Sequence, residues 1–180
     1  VKRSPKQTKR RSERARPDRA AAPLRLAIAS LPSGERYVPF IRQKLRAAHR
    51  LLSPPLRELS LAIVGNAKMA ELHGRFMDDP TPTDVLTFEL DHDPAGRVVA
   101  GEVVVCLPVA RTQARERKIK IEHELLLYSL HGMLHLCGFD DRTESAYRAM
   151  HRTEDDILTR LGVGKVFSDR RPKRSSGALG

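Results

Sequence analysis

Two histidines four residues apart, His131 and His135, and two aspartates close behind them, Asp140 and Asp141, are the residues best placed to do chemistry in this 180-residue chain. On a helix, side chains at i and i+4 stand one turn apart on one face, so two such imidazoles can share an ion. Gly138 follows and is suited to end the helix and reverse the chain. That reversal returns Asp140 or Asp141 toward the imidazoles, which makes three protein ligands and leaves a fourth position for water. A histidine pair at this spacing is often merely structural. Here Leu127, Leu130 and Leu134 mark the helix as a core element, and histidines at the end of such a helix need polar partners.

The same spacing occurs in zinc-protease helices, which carry a glutamate base directly after the first histidine. Gly132 stands there instead, which argues against peptide hydrolysis. Glycine inside a helix costs about 1 kcal/mol relative to alanine, so its presence predicts that substrate or another backbone element passes close to the metal. Two histidines and a carboxylate also form the ligand set of iron oxygenases, but nothing else in the chain points to oxidative chemistry. No Walker loop, dinucleotide glycine fingerprint or nucleophile elbow is present.

The elements that must position these residues can be read from periodicity. Leu24, Leu26 and Ile28 alternate as a first strand, and Ile41, Leu45, Ala48 and Leu52 recur at helical spacing over 37–52. Leu59, Leu61 and Ile63 form a second strand, after which Asn66 is placed to cap a helix through about Phe76 that buries Met69 and Leu72. Two more strands are expected over 85–90 and 98–105, the run Val103 to Val105 implying burial on both faces. Helices then follow from Pro108, over 122–136, and over 143–161, the last burying Tyr147, Met150, Ile157 and Leu161. The expected architecture is a single compact α+β domain over 21–164. It has about four strands in a mixed sheet packed with about five helices, and a metal site at the end of a central helix.

Charge is unevenly spread. The formal net charge is +11, of which 1–20 carries +7 and 165–180 carries +4, leaving the intervening domain neutral. Both ends are poor in apolar residues and read as disordered basic arms, either solvating tails or RNA-binding segments. Within the domain, Arg42, Arg46 and Arg50 form one basic stripe, and Arg111, Arg115 and Lys118 another. With three Tyr, five Phe and no Trp, a stacking platform is not expected, so RNA would be held through phosphates in a basic groove. Cys106 and Cys137 read as small core residues, and His123 as an exposed residue beside Glu122 and Glu124. Two cysteines make no disulfide framework, and the chain shows neither a membrane-length apolar run nor a secretory h-region. A reducing cytoplasm is the expected compartment.

The segment His131-Gly-Met-Leu-His-Leu-Cys-Gly-Phe-Asp-Asp141 resembles the HGxLHLxGYDH signature of the YbeY family, bacterial endoribonucleases and small-subunit rRNA maturation factors. Pro82 to Phe88 looks like that family's PTDVLSF element, and Gly101 to Cys106 like its GDIVI strand, so the likeness spans about 24–162. It implies a compact α+β fold, a zinc ion and single-stranded RNA as substrate. The implied setting is rRNA processing and ribosome quality control, with the ribosomal small subunit and assembly factors as partners. The implied ligands and catalytic residues are His131, His135 and Asp141. Asp141 takes the place of the family's third histidine. A carboxylate there neutralises part of the metal charge and makes harder ions such as Mn²⁺ more competitive with Zn²⁺. The family's arginine before this PT element falls on Met77, with Arg75 two residues away. That loss and the basic tails favour an alternative in which the protein is a largely non-catalytic, metal-containing assembly or RNA-binding factor.

Overall fold

The computed structural model describes residues 23–165, so the basic arms expected over 1–20 and 165–180 lie outside the described residues apart from Lys165. The chain runs β1 (Arg25–Ser30), a 3-10 turn (Pro32–Tyr37), α1 (Val38–Leu52), β2 (Glu58–Val64), α2 (Asn66–Met77), β3 (Val85–His92), β4 (Val98–Cys106), α3 (Leu107–Arg117), α4 (Ile121–Leu136) and α5 (Glu144–Arg160). The sheet order is β1-β2-β4-β3. The first three of these strands are parallel and β3 runs antiparallel to β4 at one edge. A mixed four-stranded sheet with five α-helices matches the expected α+β architecture.

Period-two alternation divides the apolar residues between the two faces. Leu59, Leu61, Ile63, Val103 and Val105 point into the larger core with α1 and α4. Val104, Cys106 and Leu86 point the other way and pack on Met69 of α2. Burial of all three valines at 103–105 follows, because β4 is an inner strand covered on both sides. Helix α4 is apolar almost all round, with Leu125, Leu126, Leu127, Leu130, Met133, Leu134 and Leu136 buried. A helix of that kind belongs at the centre of a domain. Each fully buried leucine contributes about 1.5–3 kcal/mol, so the segment bearing His131 and His135 is among the most firmly held parts of the molecule.

Helix α4 lies close against the sheet because glycine occupies the contact. A Cβ on Gly132 would sit 2.7 and 2.8 Å from the two Val103 methyls and 2.9 Å from Thr87 Oγ1. The close approach expected at Gly132 is therefore real, but sheet side chains make it and not a passing substrate or backbone. Two other local expectations change. Gly65, in extended conformation and without a side-chain cap, precedes α2, while Asn66 is its first residue and accepts a hydrogen bond from Cys106 Sγ at 3.3 Å. In α5, Tyr147 and Leu161 are only half-buried, and His151, Glu154 and Leu158 join Met150 and Ile157 on the inner face.

Candidate metal centre

The end of α4 is a Schellman motif, and it builds the site. Gly138 has φ +89°, the left-handed region that favours glycine. Phe139 N–H donates to the Leu134 carbonyl at 3.1 Å and Gly138 N–H to the His135 carbonyl at 2.9 Å. The turn also brings the Phe139 carbonyl to 3.2 Å from His135 Nδ1, so that nitrogen carries the proton. His131 Nδ1 likewise donates to Glu154 Oε1 at 2.7 Å. With both Nδ1 atoms engaged as donors, the Nε2 atoms of the neutral imidazoles are the ones that can bind an ion, and they face each other at 3.1 Å.

Asp141 completes the cluster. Its Oδ2 lies 3.8 Å from His131 Nε2 and 3.9 Å from His135 Nε2. Asp140 turns away and pairs with Arg142 at 3.0 Å, which with two backbone N–H groups holds its carboxyl below the usual carboxylate range. Of the two aspartates left open by spacing, the fold brings Asp141 to the histidines. A tetrahedral ion with bonds of about 2.0–2.1 Å sets its ligand atoms about 3.3 Å apart, close to the observed spacing. Two Nε2 atoms 3.1 Å apart with a carboxylate beside them converge on one point where a proton or a metal ion can be shared, and two imidazoles with a carboxylate are a donor set that fits a divalent ion.

Sequence reading missed what stands behind His131. Glu154 on α5 is fully buried and accepts from His131 through Oε1 and from His151 Nδ1 through Oε2, the latter at 2.5 Å. Burial pushes this carboxyl up, but hydrogen bonds and charge from the two imidazoles outweigh it and hold it below its ordinary range. His131, His151 and Glu154 also form a compact donor group. Their short contacts are hydrogen bonds already occupied by protons, so the triad acts as support for His131. The sequence did carry a signal: Glu154 falls on the helical stripe of Tyr147, Met150, Ile157 and Leu161, where an acid is out of place unless it has buried partners.

Other expected residues fall elsewhere. His123 is half-buried and stacks on Phe40, with ring centroids 5.8 Å apart, instead of standing free beside the acids. Cys106 is buried and Cys137 half-buried, and burial pushes the Cys137 thiol up to about 12. Asp84, just before β3, accepts from Val85 N–H and the Thr83 hydroxyl and stands in the same space as the two histidines.

An open cleft of about 410 Å³ adjoins the histidines, lined by Met77, Asp84, Val85, Leu86, Thr87, Glu89, His131 and His135. No Lys or Arg is among these residues. One residue of each basic stripe is engaged by the scaffold: Arg42 donates to the Leu26 carbonyl at 2.9 Å and Arg111 to the Ser33 carbonyl at 3.4 Å. Arg46 lies in a separate groove across β1 and β2. The expected basic groove at the site is thus replaced by an acidic and apolar one. Among the described residues no helix is long and apolar enough to cross a membrane.

Comparison with known proteins accords with this arrangement. The family model described as Endoribonuclease YbeY matches residues 33–162. A protein named Endoribonuclease YbeY from Acidothermus cellulolyticus is 41% identical over 121 residues, covering 61% of this chain and 74% of that one. One of the same name from Mycolicibacterium paratuberculosis is 37% identical over 137 residues, covering 69% and 77%. The solution structure of TM1509 from Thermotoga maritima aligns with TM-score 0.54 over 83% of this chain and 99% of that one, and at 24% identity it bears on the fold alone. With the match running from the turn before α1 to the end of α5 and taking in the His131–Asp141 turn, the chain belongs to the YbeY family.

Proposed function

We propose that the chain is a metal-dependent endoribonuclease acting on single-stranded RNA, with His131, His135 and Asp141 as metal ligands and catalytic centre. The observation that carries this reading is the pair of Nε2 atoms facing at 3.1 Å beside Asp141, in a family whose relatives bear the name endoribonuclease. Zinc suits two imidazoles and a carboxylate, and the carboxylate also admits Mn²⁺. When bound, such an ion supplies Lewis acidity toward a phosphoryl oxygen and lowers the pKa of water. The protein's own residues prepare that chemistry. Glu154 and the Phe139 carbonyl fix both imidazole tautomers, and Thr87 and Glu89 of β3 wall the cleft in which a phosphodiester would lie.

The finer reading places the enzyme in the cytoplasm, in rRNA processing, small-subunit maturation and ribosome quality control. Its domain would run over 21–164, and the basic arms would provide long-range, salt-sensitive attraction to RNA. A second reading, a mainly non-catalytic assembly or RNA-binding factor, is favoured by one observation: Met77 and no cation lines the cleft. One assay divides the two. Metal-loaded full chain is incubated with single-stranded and duplex RNA beside His131→Ala and a chelator control. Cleavage of the single strand that both the substitution and the chelator abolish supports the enzyme. Cleavage that survives His131→Ala belongs to a contaminant and removes the claim.

A further inference from the structure

The rim of the cleft carries an aromatic feature that the metal centre does not use. Helix α2 ends on Phe76 and Met77, which are 52% and 58% exposed, and Leu90 on neighbouring β3 is 60% exposed. Phe88 meets Phe76 edge-on, with centroids 4.9 Å apart and planes at 61°. The Arg75 guanidinium lies over the Phe76 ring, 5.5 Å from its centroid, and Arg75 makes no ion pair among the described residues. Met77 joins this patch directly to the cleft, since it lines the same space as His131 and His135.

Phe76 and Met77 are adjacent at the helix end and Phe76 touches Phe88, so this exposure is grouped and not scattered, which marks an interaction site. What it would receive follows from the chemistry around it. The cleft walls offer carboxylates and no cationic side chain, so apart from a bound metal ion the grip on an RNA strand must come from beyond them. An unpaired nucleobase, in contrast, brings a π-face that stacks on an aromatic ring, and the phosphate next to it suits a free guanidinium. Duplex bases are already stacked and cannot use such a surface.

We infer that Phe76, backed by Phe88 and flanked by Arg75, is a nucleobase-stacking subsite that holds single-stranded RNA beside the His131/His135 cleft. This rests on the RNA-cleaving reading. Phe76 supplies the ring, Phe88 fixes its tilt from the sheet, and the exposed Arg75, which rests over the ring, takes the adjoining phosphate when a base displaces it.

The test uses the full chain and a cleavage-resistant 2′-O-methyl single strand carrying 2-aminopurine at successive positions. Wild type is expected to quench the probe at one preferred position. Phe76→Ala should weaken binding about tenfold and abolish that quench. Phe76→Tyr should retain both, and Phe76→Leu, which keeps apolar contact with Phe88, should bind as poorly as Phe76→Ala with unchanged melting. An abasic site at the preferred position should erase the difference between wild type and Phe76→Ala. Arg75→Gln should reduce the slope of log affinity against log salt by about 0.7. The subsite is overturned if Phe76→Leu binds and quenches like wild type while both cleave RNA. It is also overturned if Phe76→Ala abolishes self-association of the chain and leaves RNA affinity intact, which would assign the patch to contact between copies. A wild-type chain that neither binds nor cleaves single strands removes the nuclease reading itself.

Discussion

Glu154 Oε1 accepts the Nδ1 proton of His131 at 2.7 Å from a side chain with no solvent exposure, and His151 holds the other carboxylate oxygen. The relationship joins α5 to α4 and makes Nε2 of His131, the proposed ligand atom, both oriented and electron-rich. Replacing Glu154 with Gln keeps the shape and an acceptor oxygen but removes the negative charge. Metal affinity of Glu154→Gln, measured by chelator competition, should fall about 10- to 100-fold. An affinity equal to wild type would show that the carboxylate serves packing alone.

Asp141 and Asp140 are neighbours with opposite surroundings. One faces two imidazoles at 3.8 and 3.9 Å, and the other is held by Arg142 at 3.0 Å. Asp141→Ala is expected to lose most bound metal by elemental analysis, while Asp140→Ala keeps full stoichiometry. The opposite pattern would move the third ligand to Asp140. Asp141→His, which restores three imidazoles, should shift preference from Mn²⁺ toward Zn²⁺.

Much of this site was legible before the fold, for a physical reason. Leu127, Leu130 and Leu134 set the helix phase, that phase puts His131 and His135 on one face, and Gly138 ends the helix where the chain must turn. All of that is local along the chain. Glu154 was not legible in the same way, because its partner lies 23 residues earlier and a carboxylate on an amphipathic helix ordinarily faces water. The cleft's character also depended on register. Thr87 and Glu89 face α4 because they pair with Val103 and Gly101 of β4, and Arg42 and Arg111, one from each basic stripe, bond backbone carbonyls elsewhere. The aromatic patch needed two segments, the end of α2 and β3, to come together, and composition carries no trace of that.

Burial pushes the Cys137 thiol from about 9 up to about 12, so folding favours the protonated form. The associated stability is complete below the unfolded thiol's pKa near 9 and is lost as pH rises toward about 12. Cys137→Ala should therefore flatten part of the alkaline limb of a stability–pH curve measured by denaturant titration. At pH 8 only about one thiol in 10⁴ is ionised, so iodoacetamide should label Cys137 in urea but barely in the native protein. Rapid native labelling, read by mass spectrometry, would contradict the burial argument.

Gly132→Ala tests whether the helix's close seat on the sheet positions the metal ligands. Alanine gains about 1 kcal/mol of helix propensity. Against this, the new methyl would meet both Val103 methyls at 2.7 and 2.8 Å and Thr87 Oγ1 at 2.9 Å. Val103 is β-branched and has a methyl on either side of the contact, so rotating χ1 offers no escape. Overpacking of this kind costs about 1–3 kcal/mol, which exceeds the propensity gain over most of its range. The expected result is a net loss of up to about 2 kcal/mol, seen as a melting temperature lower by several degrees. Because His131 is the adjacent residue, lifting α4 from the sheet also displaces its imidazole from Asp141. Metal affinity should fall with stability, and Gly132→Ala combined with Val103→Ala, which clears the two methyls and leaves only the Thr87 Oγ1 contact, should recover part of the metal affinity ahead of stability. If the single variant keeps wild-type melting and metal affinity, the close packing of α4 on β4 does not set the site.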